Sequence, residues 1–170
     1  FSTCFRREAG AYGKDTKGIY RLHEFWKVEQ VILSTNDVKE AKKLHTELEK
    51  NSEELLEELN LPYRVLLMCT GEMGEPQILK YDLETWFPSQ NTYRETHSAD
   101  LMQGYQARRL NTRVKRTDGK IEPVHMNDAT VLAMGRTLIA IMENYQQEDG
   151  SILIPEVLRG YMGKDVIAKT

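Results

Sequence analysis

Hydrophobic and polar positions change period several times along the chain, and each change predicts an element. Cys4 and Phe5 stand before Arg6, Arg7 and Glu8, which reads as a strand over residues 2–9. A second strand is predicted over 19–33, where Tyr20, Leu22, Glu24 and Trp26 alternate with Arg21, His23, Phe25 and Lys27. The charged, glycine-rich stretch between them reads as a long loop. Ser34, Thr35, Asn36 and Asp37 are good helix caps. Val38, Ala41, Leu44, Leu48, Leu55, Leu56 and Leu59 then recur at three- and four-residue spacing, predicting an amphipathic helix over 38–59.

Beyond Asn60-Leu61-Pro62, apolar density predicts a buried strand over 63–69 and a loop over 71–76. An alternating strand over 78–88 sets Leu79, Tyr81, Leu83, Thr85 and Phe87 against Lys80, Asp82, Glu84 and Trp86. A short segment over 92–98 precedes a predicted helix over 101–110. Thr117-Asp118-Gly119 marks a hairpin between 112–116 and 120–125. A mostly apolar helix is predicted over 130–147, followed by Ile152-Leu153-Ile154 and a short helix opened by Pro155. The order gives an α+β fold, one antiparallel β-sheet flanked by helices.

Composition narrows this picture. At 170 residues the chain holds one domain with a real core. A net charge of −3 argues against a generally basic surface and against a DNA partner, so any nucleic-acid contact is local. No apolar run approaches a membrane span and no secretory leader is visible, so no membrane partner is expected. Cys4 and Cys69 form no CxxC pair, which makes a reducing, cytoplasmic setting the default. A strand that starts at Phe1 reads as a chain cut from something longer.

The first strand pair is the costliest feature, because unpaired buried cations must be compensated. Either an anion lies across it or it is a solvated hairpin with cross-strand ion pairs. Several arginines with a few carboxylates suit a triphosphate nucleotide, since guanidinium forks grip phosphate oxygens and a carboxylate can hold Mg2+. The stretch from Gly10 to Asp15 lacks the phosphate-loop spacing. His23, His45, His97 and His125 show no metal-ligand spacing and read as ordinary surface or core histidines. No GxSxG elbow is present.

FRREAGAYGKDTKGIYRLHEFWKVEQ, YRETHSADLMQGYQARR and AMGRTLIAIMENYQQEDGSILIPEVLRGYMG, in that order, closely resemble the catalytic core of the seryl-tRNA synthetase family of class II aminoacyl-tRNA synthetases. The resemblance covers essentially the whole chain. It implies a class II catalytic domain over 1–170 that lacks its N-terminal portion and a tRNA-gripping helical hairpin. The implied activity is ATP- and Mg2+-dependent charging of serine tRNA through seryl-adenylate, by a homodimer when full-length. The fragment alone is expected to be weak or inactive.

By matched position, Arg6 resembles the arginine that bridges the serine carboxylate and the α-phosphate. Glu8 and Arg7 would lie beside the nucleotide, and Arg21 is a further contact. Leu22 would read the adenine edge and Phe25 would stack on the base, with Arg136 closing its other face. Glu95, Thr96, His97 and Ser98 form the implied phosphate segment, with Glu95 and Ser98 as Mg2+ ligands. Glu29 would hold the serine ammonium and Thr130 the serine hydroxyl. Arg6, Glu8 and Arg136 make the implied catalytic set. The family has asparagine where Asp128 stands, unless Asn127 serves by a one-residue shift. Two alternatives remain: a related ligase that loads a carrier protein, and a non-catalytic binding module.

Overall fold

Six strands pair antiparallel in the order β1-β2-β8-β5-β4-β3. They are β1 (Ser2–Phe5), β2 (Glu24–Ser34), β3 (Tyr63–Leu67), β4 (Leu79–Phe87), β5 (Thr92–Leu101) and β8 (His125–Ala133). The computed structural model describes residues 1–8 and 18–169. Residues 9–17, the last residue of the first predicted strand and nearly all of the predicted loop, lie outside the described residues. Two small ribbons complete the strands, β6 (Arg113–Lys115) with β7 (Ile121–Pro123), and β9 (Ile152–Leu153) with β10 (Val166–Ile167).

The long helix α1 (Val38–Glu58) starts where Asp37 accepts from Lys39 N at 2.7 Å and Glu40 N at 3.0 Å. Its buried residues are Ala41, His45, Leu48, Glu49, Ser52 and Leu56, so three of them are polar. Leu48 meets Ala99 and Ala129 from the central strands. Leu56 and Leu59 join Leu83 and Phe87 of β4 and Ala140 of α3 (Met134–Tyr145) in the larger core cluster. One face of the sheet is thus closed by α1 and α3. Truncating Leu56, which is fully buried, would cost about 2–5 kcal/mol.

Several boundaries move. The β1–β2 ladder begins at Phe5↔Glu24, so β2 starts at Glu24 and not at residue 19. Residues 18–23 form turns, opened by Gly18 at φ +72°. The strand over 63–69 is an edge strand, not a buried one: only β4 pairs with it, and Leu67 is 65% exposed. Residues 92–101 make one continuous strand, and only Tyr105–Leu110 is helical as α2. Leu101 is fully buried between strand neighbours, and pairing on both edges overrides its local helix preference. Gln103 at φ +48° then breaks the chain before α2. For the same reason residues 130–133 belong to β8, paired with β2, and α3 opens at Met134. A last helix, α4 (Glu156–Met162), follows Pro155 as expected.

Candidate active site

Two β-bulges lie side by side at the centre of the sheet. Between β4 and β5 the register slips from Leu83↔His97 to Glu84↔Glu95, leaving Thr96 as the extra residue. Between β2 and β8 it slips from Val28↔Leu132 to Glu29↔Thr130, leaving Val131 extra. A regular strand would send Glu95 and Ser98 to opposite faces, as it would Thr130 and Ala133. Each bulge reverses that parity, and all four residues line one cleft.

The carbonyls freed by the second bulge are taken by side chains. Ser52 donates to Thr130 O at 2.8 Å, and His97 Nε2 bonds Val131 O at the same distance. Burial pulls the His97 pKa down to about 4, so the ring is neutral. Because Val131 O can only accept, Nε2 carries the proton and Nδ1 accepts from Thr96 Oγ1 at 2.8 Å. The Thr85 hydroxyl must then donate to Thr96, at 2.7 Å. Thr96 and His97 line the cleft, but their polar atoms are engaged in this interior chain.

The cleft is open to solvent, and about 570 Å³ of space lies between its walls and the bulk solvent it merges with. Arg6, Arg21 and Arg136 line it with Leu22, Phe25 and Lys27. Arg6 is fixed by its own backbone, with its N–H donating to His23 O at 2.8 Å, and its guanidinium lies 4.8 Å from the Phe25 ring centre. Arg21 pairs with Glu8, which sits at φ +53° just beyond β1. Arg136, in the first turn of α3, donates to Glu95 O at 2.8 Å and lies 3.2 Å from the Glu95 carboxylate. Its guanidinium also lies 4.6 Å from the Tyr20 ring.

Further along β2, by about 13 Å for four residues of strand, Phe25 gives way to Glu29 on the same face. Thr130 Oγ1 donates to Glu29 at 3.3 Å, and Lys27 Nζ approaches the same carboxylate at 2.5 Å. The profile of the tRNA synthetase class II core domain (G, H, P, S and T) matches residues 1–145. The chain belongs to that class II synthetase family. It is 49% identical over 164 residues to the serine--tRNA ligase of Elusimicrobium minutum, covering 96% of this chain and 38% of that one. It is also 52% identical over 160 residues to the serine--tRNA ligase of an Acidovorax species, covering 94% and 36%. The seryl-tRNA synthetase of Pyrococcus horikoshii complexed with ATP superposes with a TM-score of 0.93 at 47% identity, over 99% of this chain and 37% of that one. The cytoplasmic serine-tRNA ligase of Naegleria fowleri in complex with AMP gives 0.89 at 40% identity, over 98% and 40%. The chain therefore spans well under half the length of these relatives.

Within this class II core, Arg6, Arg21, Leu22, Phe25, Glu95, Thr96, His97, Ser98, Thr130 and Arg136 come together in the cleft. Glu29 touches it through Thr130, and Glu8 through Arg21. Arg7 is exposed and does not line it. Neither Asn127 nor Asp128 lines the cleft, and the two lie on opposite faces of β8. Asn127 donates to Ala41 O of α1 at 2.7 Å and is 1% exposed, so its amide faces away from the cleft. Asp128 shares the Thr130 face and stands directly opposite Asp100 of β5. Burial, then the Asp100 and Glu29 charges, push its pKa up to about 7.

Sequence reasoning missed Tyr20 and Lys27, which both line the cleft. Lys27 had a signal, since Phe25, Lys27 and Glu29 alternate onto one face of β2. Tyr20 had none, because it lies outside the ladder. For Mg2+ the donors fit a substrate-completed site: Glu95 offers one carboxylate, 43% exposed, and Ser98 one hydroxyl on the same face. No cluster of three or more metal-ligating side chains occurs among the described residues.

Proposed function

We propose that this class II core activates serine with ATP and passes the seryl group to serine tRNA. The observation that carries the reading is one cleft holding Arg6, Arg21 and Arg136 together with the Thr130–Glu29 pair. The similar structures, one complexed with ATP and one with AMP, support the nucleotide.

The serine carboxylate is ionised at neutral pH and needs no general base. Its oxygen attacks the α-phosphorus, the bond to the bridging oxygen of the β-phosphate breaks, and pyrophosphate leaves with that electron pair. Arg6 neutralises charge between the carboxylate and the α-phosphate, while Arg21 and Arg136 hold the phosphate chain and base. Glu95 and Ser98 would hold the Mg2+, which offsets phosphate charge when bound. Glu29 accepts from the serine ammonium, and Thr130, whose own proton goes to Glu29, accepts from the serine hydroxyl, a bond that alanine cannot make. A hydroxyl of the tRNA 3′-terminal ribose then attacks the acyl carbon and AMP leaves. Homodimerisation and a cytoplasmic setting belong to the same reading. No described helix is long and apolar enough to cross a membrane.

The test is single-turnover formation of aminoacyl-adenylate by this chain with serine, threonine, alanine and glycine. Serine should give the highest yield, and Arg6→Ala and Glu95→Ala should lower it at least tenfold. Equal yields from serine and alanine would sink the assignment.

A further inference from the structure

Among the described residues, Arg136 is the one cleft arginine carried by a helix, and a long side chain at the start of α3 has many rotamers to lose. Three contacts fix it: the Glu95 carboxylate, the Glu95 carbonyl and the face of Tyr20. The carboxylate is the least permanent of them, because it is 43% exposed and is the group proposed to meet a metal ion. The other two converge. Tyr20 Oη donates to Glu95 O at 2.9 Å, the carbonyl oxygen that also accepts from Arg136 Nη1 at 2.8 Å.

Tyr20 is itself firmly held. Its ring meets Phe87 edge-on, with centroids 5.7 Å apart, and packs against the core cluster that includes Ala140 of α3. Arg94 of β5 also lies over it, 4.5 Å from the ring centre, and donates to Gln90 at 2.7 Å. Both guanidinium groups thus lie within 4.6 Å of the one ring centre, whose quadrupole attracts each of them. Burial holds the Tyr20 phenol above its ordinary pKa even though both arginines pull it down, so the hydroxyl remains a donor. The neighbouring backbone is laid against α3 as well, since a Cβ on Gly135 would meet Ile19 O at 3.1 Å.

We propose that Tyr20 is a positioning residue for nucleotide binding, a fixed platform that aims Arg136 into the cleft through its ring face and the shared Glu95 carbonyl. The proposal rests on the reading of the cleft as an ATP site. It is a role distinct from contact with the nucleotide: Tyr20 acts through Arg136.

The test is the Kd of ATP for this chain, by calorimetric titration, in a double-mutant cycle. Tyr20→Phe keeps the ring and its packing on Phe87 and should weaken ATP about two- to threefold; Tyr20→Leu removes both holds and should weaken it about tenfold. In an Arg136→Ala background, Tyr20→Leu should change the Kd by less than about twofold. Thermal unfolding of each variant separates lost fold from lost aim, and Tyr20→Phe answers the question even if Tyr20→Leu unfolds. A similar loss with and without Arg136, or unchanged Kd values in both single variants, would overturn the positioning role while leaving the ATP site standing. Failure of the wild-type chain to bind ATP would overturn the site and this role together.

Discussion

His97 on β5 donates from Nε2 to the Val131 carbonyl of β8 at 2.8 Å, tying the residue that follows the extra Thr96 of one bulge to the extra residue of its neighbour. The bond does more than satisfy an orphaned carbonyl. Each bulge returns a pair of odd-spaced residues to the cleft face, Glu95 with Ser98 and Thr130 with Ala133. A ladder that relaxed to regular pairing would turn one member of each pair away. The proton order from Thr85 through Thr96 to His97 and Val131 therefore stands behind the shape of the cleft.

Replacing His97 by alanine should accordingly damage stability and site together. It leaves Val131 O without its partner and takes the imidazole acceptor from the Thr96 hydroxyl, in a region where His97 itself is 1% exposed. The expected cost is about 2–4 kcal/mol in urea unfolding, with ATP affinity reduced more than tenfold. Loss of stability with unchanged ATP affinity would show that the bulges persist without the clamp.

The same histidine gives a pH signature, and Asp128 opposes it. The His97 pKa of about 4 in the fold lies below its ordinary 6.5, so between these values the unfolded chain binds a proton that the fold does not. This contribution is complete above pH 6.5 and falls away as pH drops to 4, by about 3 kcal/mol in all. Asp128 runs the other way: its pKa is raised from 3.8 to about 7, and its effect on stability worsens as pH rises through that window. Asp128→Asn should stabilise the protein by about 1–2 kcal/mol at pH 8, the shift being discounted for partial exposure. It should also steepen the rise in stability from pH 4 to 6.5. Urea titrations across pH would show this as diverging curves, and parallel curves would refute it.

Much of the fold was legible because its signals are local. Asp37 before Val38, the three- and four-residue stripe of α1, and the alternation from Leu79 to Phe87 all read correctly from residue types alone. The misreadings at 101–104 and 130–133 share a cause. Leu101 and Thr130 are ordered by partners distant in sequence, and non-local pairing overrules a helical pattern. Most of the cleft residues were legible through the FRRE, ETHS and GR motifs. Their common face was not, because a bulge has no signature in residue type: nothing in Glu95-Thr96-His97-Ser98 announces that its ends point the same way. Tyr20 escaped for a related reason. Its importance comes from Arg94, Arg136 and Glu95 O, which only the folded chain assembles.

Glu29 offers a test that separates the two proposed substrates. Its carboxylate accepts from Thr130 and pairs with Lys27, about 13 Å along β2 from Phe25. Glu29→Gln keeps an acceptor for Thr130 but removes the charge proposed to meet the serine ammonium. Serine binding should weaken by about ten- to a hundredfold, while the Kd of ATP moves less than about twofold. Parallel loss of both ligands would mean that Lys27, released from its ion pair, disturbs the whole cleft.

Gly135 offers a test in which stability and site should part. It sits in the first turn of α3, where alanine is the better helix former by about 1 kcal/mol. Against that gain, the added Cβ would lie 3.1 Å from Ile19 O, close enough that the backbone carrying Tyr20 must yield by a few tenths of an ångström. The gain and the strain are of similar size, so the midpoint of thermal unfolding should hardly change. The displacement is nonetheless directed at the segment that meets Arg136, whose bond to Glu95 O at 2.8 Å has little room to follow. Gly135→Ala should therefore bind ATP about three- to tenfold more weakly at near-constant stability. Unchanged ATP affinity would mean that residues 18–20 shift freely over α3, and that Arg136 is aimed by Glu95 alone.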